Sequence, residues 1–321
     1  MTAIPASLTL SRDVRPILIS ASFILVILIA GTFYTLSRFG SAPLLQPTYL
    51  LQQLQIGSFL GIVAAGMMIV ILISQIDLSV PWTLAAAAMM ATAVGGHFAI
   101  PIGLAVGLMV GVVNGIGVAY LRIPSMIFTL GVNAVMRGLM VAHTGGFAPQ
   151  STATDAMRFL AAERTLGIPN ALFMWIAVSL VVAVILRRMA LGRYIYAIGN
   201  KEAAAYLAGV NTRGVIVVCF ALCGLAAGLA GVLLAGYSTK AYQGMGDAYL
   251  LPSIAAVVIG GTNILGGRGR YLGTLVGVIL IVLLNSVLSI MEMPEAGRQV
   301  IYGAVIIMML LVYGRGERVT G

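Results

Sequence analysis

Leu186-Arg-Arg-Met-Ala-Leu-Gly-Arg-Tyr-Ile-Tyr-Ala-Ile-Gly-Asn-Lys-Glu-Ala-Ala-Ala-Tyr-Leu-Ala-Gly-Val-Asn-Thr-Arg-Gly214 is a polar island in a chain built otherwise of apolar runs. It gathers Arg187, Arg188, Arg193, Lys201, Glu202 and Arg213, and within it 200–209 predicts a short helix stopped by a glycine. Outward from the island, apolar segments stand at about 17–36, 54–74, 80–96, 100–120, 125–142, 170–187, 214–236, 249–265, 271–291 and 298–314. A bilayer crossing needs roughly 20 apolar residues. The fold expected is therefore all-α: a polytopic integral membrane protein of about ten transmembrane helices, with the island in water on one side.

Composition excludes the soluble alternative. Of 321 residues, 60% are hydrophobic and 8% charged, with a mean hydropathy of +1.07; soluble domains run at about 25% charged. The first apolar run follows Arg12 and Arg15 as a signal peptide would. It is longer than the roughly 7–15 residues of a cleavable segment and ends in Thr35-Leu-Ser-Arg38 without a small-x-small site, so it reads as an uncleaved anchor. The two cysteines, Cys219 and Cys223, are four apart in one apolar segment and read as buried small side chains. Gly107-x-x-x-Gly111 and Gly224-x-x-x-Gly228 are the spacing at which helices approach closely in lipid. The organisation expected is a tail at 1–16, one membrane domain at 17–314 carrying a water-exposed loop at 188–213, and a second tail at 315–321.

Charge sets the orientation. With the N-terminus cytoplasmic and ten crossings, one side holds Arg12, Arg15, Arg122, Arg187, Arg188, Arg193, Lys201, Arg213, Arg268, Arg270, Arg315 and Arg318. The other holds Arg38, Arg158, Arg164, Lys240 and Arg298, with Arg137 inside a segment. The positive-inside rule places the first set, both termini and the island in the cytoplasm. The net charge of +9 follows largely from this asymmetry and calls for lipid, not nucleic acid, as the partner.

Val106-Gly-Leu-Met-Val-Gly-Val-Val-Asn114, leading to Arg122-Ile-Pro124, is echoed by Val276-Gly-Val-Ile-Leu-Ile-Val-Leu-Leu-Asn285, leading to Glu292-Met-Pro294. The two segments run in opposite directions in the expected topology, so an inverted repeat is one reading. Chance similarity between apolar segments is the other.

Asn114, Asn133, Arg137 and Asn285 lie inside apolar runs, and Asp77 lies near the end of one. The asparagines either tie helices together or line a weakly polar path without fixed charge, which suits a neutral polyhydroxylated solute and not an ion. Arg137 either snorkels to the outer interface or lines a wet cavity. Asp77, ahead of Ser79 and Pro81, neighbours the positive end of the next helix. The segments lack the buried Asp/Glu/His series of an ion-coupled carrier, the phosphate loop of an ATPase, any His/Asp/Glu cluster for a metal, and a nucleophile with a base beside it. A transporter that is not an enzyme remains.

In order along the chain stand Gly61-Ile-Val-Ala-Ala-Gly-Met67 with Ile76-Asp-Leu-Ser-Val80, Asn114-Gly115, Arg122-Ile-Pro-Ser125 with Thr129-Leu-Gly131 and Arg137-Gly138. Gly192-Arg-Tyr-Ile-Tyr-Ala-Ile-Gly199, Glu202-Ala-Ala204 with Gly209-Val-Asn211, Ile254-Ala-Ala-Val-Val-Ile-Gly-Gly261 and Gly266-Gly-Arg-Gly269 follow. Together these resemble the permease subunit of ribose-type (monosaccharide) ABC importers over nearly the whole chain. Leu250-Leu-Pro-Ser253, where that family commonly has an acidic pair, and Pro81, where it usually has glycine, depart from it and bear on the substrate.

The resemblance implies a bacterial inner-membrane permease paired with a second copy or a related permease, two ABC ATPase subunits that bind ATP and Mg, and a periplasmic solute-binding protein. It implies no cofactor in this chain. It makes 201–209 the coupling helix, with Lys201 and Glu202 at its rim, Ala203, Ala204 and Leu207 as its packed face and Gly209 at its stop; a helix lying on the lipid surface is the plainer reading. The outer segment 143–169 and Lys240-Ala-Tyr-Gln243 would face the binding protein. The alternatives are an ATP-independent carrier or facilitator, and an ABC permease for a nucleoside or branched-chain amino acid.

Overall fold

Lipid offers no hydrogen-bond partner, so a chain this apolar has to satisfy its backbone within helices wherever it crosses. The computed structural model describes residues 15–147 and 149–317. Its helices are α1 (Arg15–Phe39), α2 (Pro47–Leu72), α3 (Val80–Val94), α4 (Ala99–Ala119), α5 (Ser125–His143), α6 (Asp155–Ala161), α7 (Asn170–Arg188), α8 (Ala190–Leu207), α9 (Thr212–Ser238), α10 (Asp247–Ile259), α11 (Tyr271–Ile290) and α12 (Glu295–Glu317). A small antiparallel hairpin, β1 (Arg164–Thr165) with β2 (Ile168–Pro169), follows α6. Of the expected tails, 1–14 and 318–321, with Arg12 and Arg318, lie outside the described residues.

Every expected apolar segment coincides with a helix, but not every helix is a full crossing. Among the described residues seven are long and apolar enough to span alone, while α3 and α10 have 15 and 13 residues. At 1.5 Å per residue these two reach roughly 20 Å, against a hydrocarbon core of about 30 Å. Each is preceded by non-helical backbone, 73–79 and 239–246. Helix α2 starts at Pro47, earlier than expected, because proline has no N–H to lose in a first turn. Buried Gln55 thus falls inside it and donates to the Ala161 carbonyl at 2.9 Å. Helix α10 stops at Ile259, earlier than expected, where Gly260 lies against the Gly273 backbone and Gly261 turns left-handed at φ 88°.

The core is built on α2 and α9, buried around most of their circumference. In α2 the most apolar window is 89% buried; in α1 it is 11%, which puts α1 at the lipid rim. Helix α4 crosses α9 where the small-residue spacings meet: a methyl added at Gly107 would overlap the Gly224 carbonyl, and one at Gly224 the Gly107 carbonyl. Contact this close places backbone against backbone, the packing that replaces the hydrophobic effect in lipid. Cys219 and Cys223, both free thiols, are buried in the same helix.

The echo in the sequence extends to whole elements. Helices α2 to α5 have 26, 15, 21 and 19 residues, and α9 to α12 have 27, 13, 20 and 23. In both halves the long helix ends at a left-handed residue, Ser74 or Thr239, and the turn before the last helix holds Arg122 or Glu292 at φ 58° and 57°. The halves also pack alike: α4 and α3 lie on α9 as α11 and α10 lie on α2. They run oppositely, since α8, which leads into α9, sits at the C-terminal end of α2, with Gly199 against the Leu72 carbonyl. This is an inverted repeat.

Candidate functional site

Two polar assemblies stand out against the apolar bulk. The first is the island. Helix α8 folds back on α7 because Gly192 lets it sit on the carbonyls of Ile185 and Leu186, where any Cβ would collide. Its first half is an anchor. Ile195 and Ile198 are buried, the Tyr196 hydroxyl donates to the Gly269 carbonyl at 2.9 Å, and Gly199 presses on the Leu72 carbonyl and the Gly267 amide. Gly267 N–H in turn donates to Leu72 O at 2.9 Å, so the ends of α2, α8 and the 260–270 loop form one junction.

At Lys201 the backbone leaves helical geometry (φ −162°, ψ 101°), and a separate short helix, 202–207, projects from the anchor. The helix expected over 200–209 is thus present but begins after the break. Its end is a glycine stop of the Schellman type: Gly209, at φ 84°, donates to Tyr206 O at 2.9 Å and Val210 to Ala205 O at 3.1 Å. Tyr206 and Leu207 are 69% and 85% exposed, Ala203 and Ala204 are exposed, and Ala205 is buried. Glu202, in the first turn, pairs with Arg122 of the α4–α5 turn at 3.2 Å. The rim residue thus faces its own chain, tying the projecting helix to the root of α5.

The second assembly is the lead-in to α3. Residues 76–82 have backbone N–H groups that no helix satisfies, and α5 supplies the acceptors. Ile76 N–H donates to Ser125 Oγ at 3.3 Å, Leu78 N–H to Thr129 Oγ1 at 2.9 Å, and Trp82 N–H to Asn133 Oδ1 at 3.3 Å. The acceptors stand four residues apart along one face of α5, while the donors are two and then four residues apart, the last in the first turn of α3. From the opposite side, Asn114 of α4 donates to Ser79 Oγ at 2.7 Å and to both Asp77 oxygens at 3.3 and 3.4 Å. Asp77 also accepts from Ser79 N–H at 2.9 Å and from its hydroxyl at 2.7 Å. Asn114 is fully buried, and its Oδ1 has no partner among the described residues.

Of the four residues expected along a solute path, the structure brings Asn114, Asn133 and Arg137 around this lead-in. The Arg137 guanidinium lies 5.9 Å from the Trp82 ring centre. Asn285 is elsewhere, on α11, accepting from Arg298 of α12 at 2.9 Å. The repeat relates Asn114 to Asn285, yet one holds a broken-helix lead-in and the other an arginine. Ser125 and Thr129 are small hydroxyl residues that carry no individual signal in an apolar segment. Their signal was the four-residue spacing Ser125, Thr129, Asn133, Arg137.

The segments 143–169 and 240–243 also meet. Thr152 forms an isolated bridge with Lys240, and Gln243 donates to Thr144 at 2.8 Å. Asp155 and Arg158 pair within α6. Among the described residues no group of His, Cys, Asp and Glu could hold a metal ion.

Residues 49–310 match the family described as branched-chain amino acid transport system / permease component. The chain is 36% identical to the ribose import permease protein RbsC of Escherichia coli (strain K12), over 81% of this chain and 83% of that one. It is 32% identical to the D-allose transport system permease protein AlsC of the same strain, over 86% and 89%. It is 31% identical to the autoinducer 2 import system permease protein LsrC of Escherichia coli (strain K12 / DH10B), over 79% and 75%. No solved structure matches the chain. These relatives are transport permeases and not enzymes, and the chain belongs to their family as a ribose-type ABC permease, crossing the membrane several times.

Proposed function

We propose that this chain forms the membrane path of an ATP-driven importer for a monosaccharide or a similar neutral polyhydroxylated solute. The observation that carries the reading is the projecting helix 202–207, exposed at Tyr206 and Leu207 and rooted through Gly199 in the ends of α2 and the 260–270 loop. A rigid handle of this form converts a push on its tip into movement of the helices at its base.

In this reading the handle sits in a cleft of a cytoplasmic ATPase subunit, which binds the ATP and Mg. Both termini are cytoplasmic, in the inner membrane of a bacterium. A second permease, the same or related, completes the path, and the outer segments 143–169 and 240–243 receive a periplasmic solute-binding protein. The imported cargo named for the relatives, ribose, allose and autoinducer 2, supports a small hydroxylated solute. With few polar groups along the path, most of the selection falls, in this reading, to the binding protein.

The test is uptake of labelled ribose and allose into cells or proteoliposomes holding the permease with its ATPase and binding protein. Deletion of 200–209 should abolish uptake while the protein stays in the membrane. Undiminished uptake by that deletion, or uptake unaffected by removing ATP, would overturn the reading.

A further inference from the structure

The seam between α5 and the lead-in 76–82 has features that a fixed structural contact does not need. Only 17% of the apolar window of α5 is buried, and the helix packs chiefly on α3 and α4. It is thus among the least embedded spans, yet its polar stripe satisfies backbone N–H groups at Ile76, Leu78 and Trp82, which have no helical partner. Thr129 and Ser125 are buried along this stripe, and beside the same lead-in lies Asn114 Oδ1, buried and without a partner among the described residues. At the inner root of α5, Arg122 reaches Glu202 on the handle.

Resting on the importer reading above, we propose that α5 is the moving wall of the path and that its seam with 76–82 is a solute-contact row. The handle, shifted by the ATPase, carries the Arg122 turn and draws α5 from the lead-in. Separation frees acceptors on one wall (Ser125 Oγ, Thr129 Oγ1, Asn133 Oδ1) and backbone N–H donors on the other. Hydroxyl groups donate and accept at once, so a polyhydroxylated neutral solute can satisfy both walls in place of the bonds they made to each other. The charged groups nearest that row are already engaged within the protein: the Asp77 carboxylate accepts from Ser79 and Asn114, and the Arg137 guanidinium lies over the Trp82 ring. The chemistry selected is therefore the carbohydrate hydroxyl.

The test uses the complete complex of permease, ATPase and binding protein in proteoliposomes. In the first arm, Thr129→Cys is labelled with a membrane-impermeant maleimide in the nucleotide-free and the vanadate-trapped states, with Leu130→Cys on the exposed side of α5 as control. The T129C thiol should react at least about tenfold faster in one state than in the other, and the L130C thiol equally in both. Equal rates for T129C overturn the proposal, and this arm needs no knowledge of the cargo.

In the second arm, Thr129→Val removes the hydroxyl at nearly constant shape. The half-saturating ribose concentration should rise several-fold at an unchanged amount of protein, and Thr129→Ser should restore it. A T129V complex that loses only protein amount, with half-saturation unchanged, has a structural threonine and counts against the row. Uptake by the unaltered complex that needs no ATP would sink the importer reading, whereas ATP-driven uptake with state-independent labelling would sink the seam alone.

Discussion

Replacing Gly107 by alanine tests the packing that holds the two halves together. The added methyl would overlap the Gly224 carbonyl and come within 2.8 Å of Gly228 Cα and 3.0 Å of Gly228 N. Carbon atoms rest at about 3.5–4.0 Å, so α4 and α9 must part by roughly 1 Å along their whole crossing. Overpacking of this kind costs about 1–3 kcal/mol, here with backbone on the receiving side and no side chain to swing away. About 2 kcal/mol is roughly a thirtyfold change in the folding equilibrium. The comparison is Gly131→Ala on α5, where an added Cβ meets nothing within 4 Å and the helix gains up to about 1 kcal/mol from alanine. Thermal unfolding of purified permease in detergent, followed by size-exclusion chromatography, should show G107A melting several degrees below wild type and G131A at or above it. Equal stability of the two variants would refute the close crossing.

Three further outcomes follow from the handle. Gly209→Val places a β-branched residue at φ 84°, costing about 1–2 kcal/mol locally, so trypsin should cut the 200–213 loop faster while Gly209→Asn stays near wild type. Gly199→Ala drives a methyl into Leu72 O and Gly267 N; it should reduce uptake while the complex still hydrolyses ATP, and normal uptake would show the anchor to be dispensable. Glu202→Arg and Arg122→Glu should each lower uptake, with the double reversal recovering part of it. The pair is half-exposed and worth at most about 1 kcal/mol to stability, so melting temperatures should hardly move.

Much of this architecture was legible because lipid leaves so few options. The apolar runs mark helices whatever their neighbours, and the glycine spacings at 107–111 and 224–228 mark the crossing, because only small residues let backbones meet. Gly209 was readable as a stop for the same local reason. What the sequence hid depends on partners distant in the chain. The partner of buried Gln55, the Ala161 carbonyl, lies over a hundred residues away, and the early end of α10 depends on Gly260 meeting Gly273. The break at Lys201 has no local signature, since Asn-Lys-Glu-Ala-Ala-Ala is helical in composition. The roles of Asn114 and Asn285, alike in sequence context, separated only when one met Asp77 and Ser79 and the other Arg298.

Everything in the transport cycle turns on the side of the membrane at which the 202–207 tip stands and on what touches it there. The measurement is reaction of Leu207→Cys with a membrane-impermeant maleimide in right-side-out and inside-out vesicles; Cys219 and Cys223 are buried, which keeps the background low. The account predicts labelling in inside-out vesicles alone, suppressed when the ATPase subunits are bound. Labelling of L207C from the periplasmic face would contradict it.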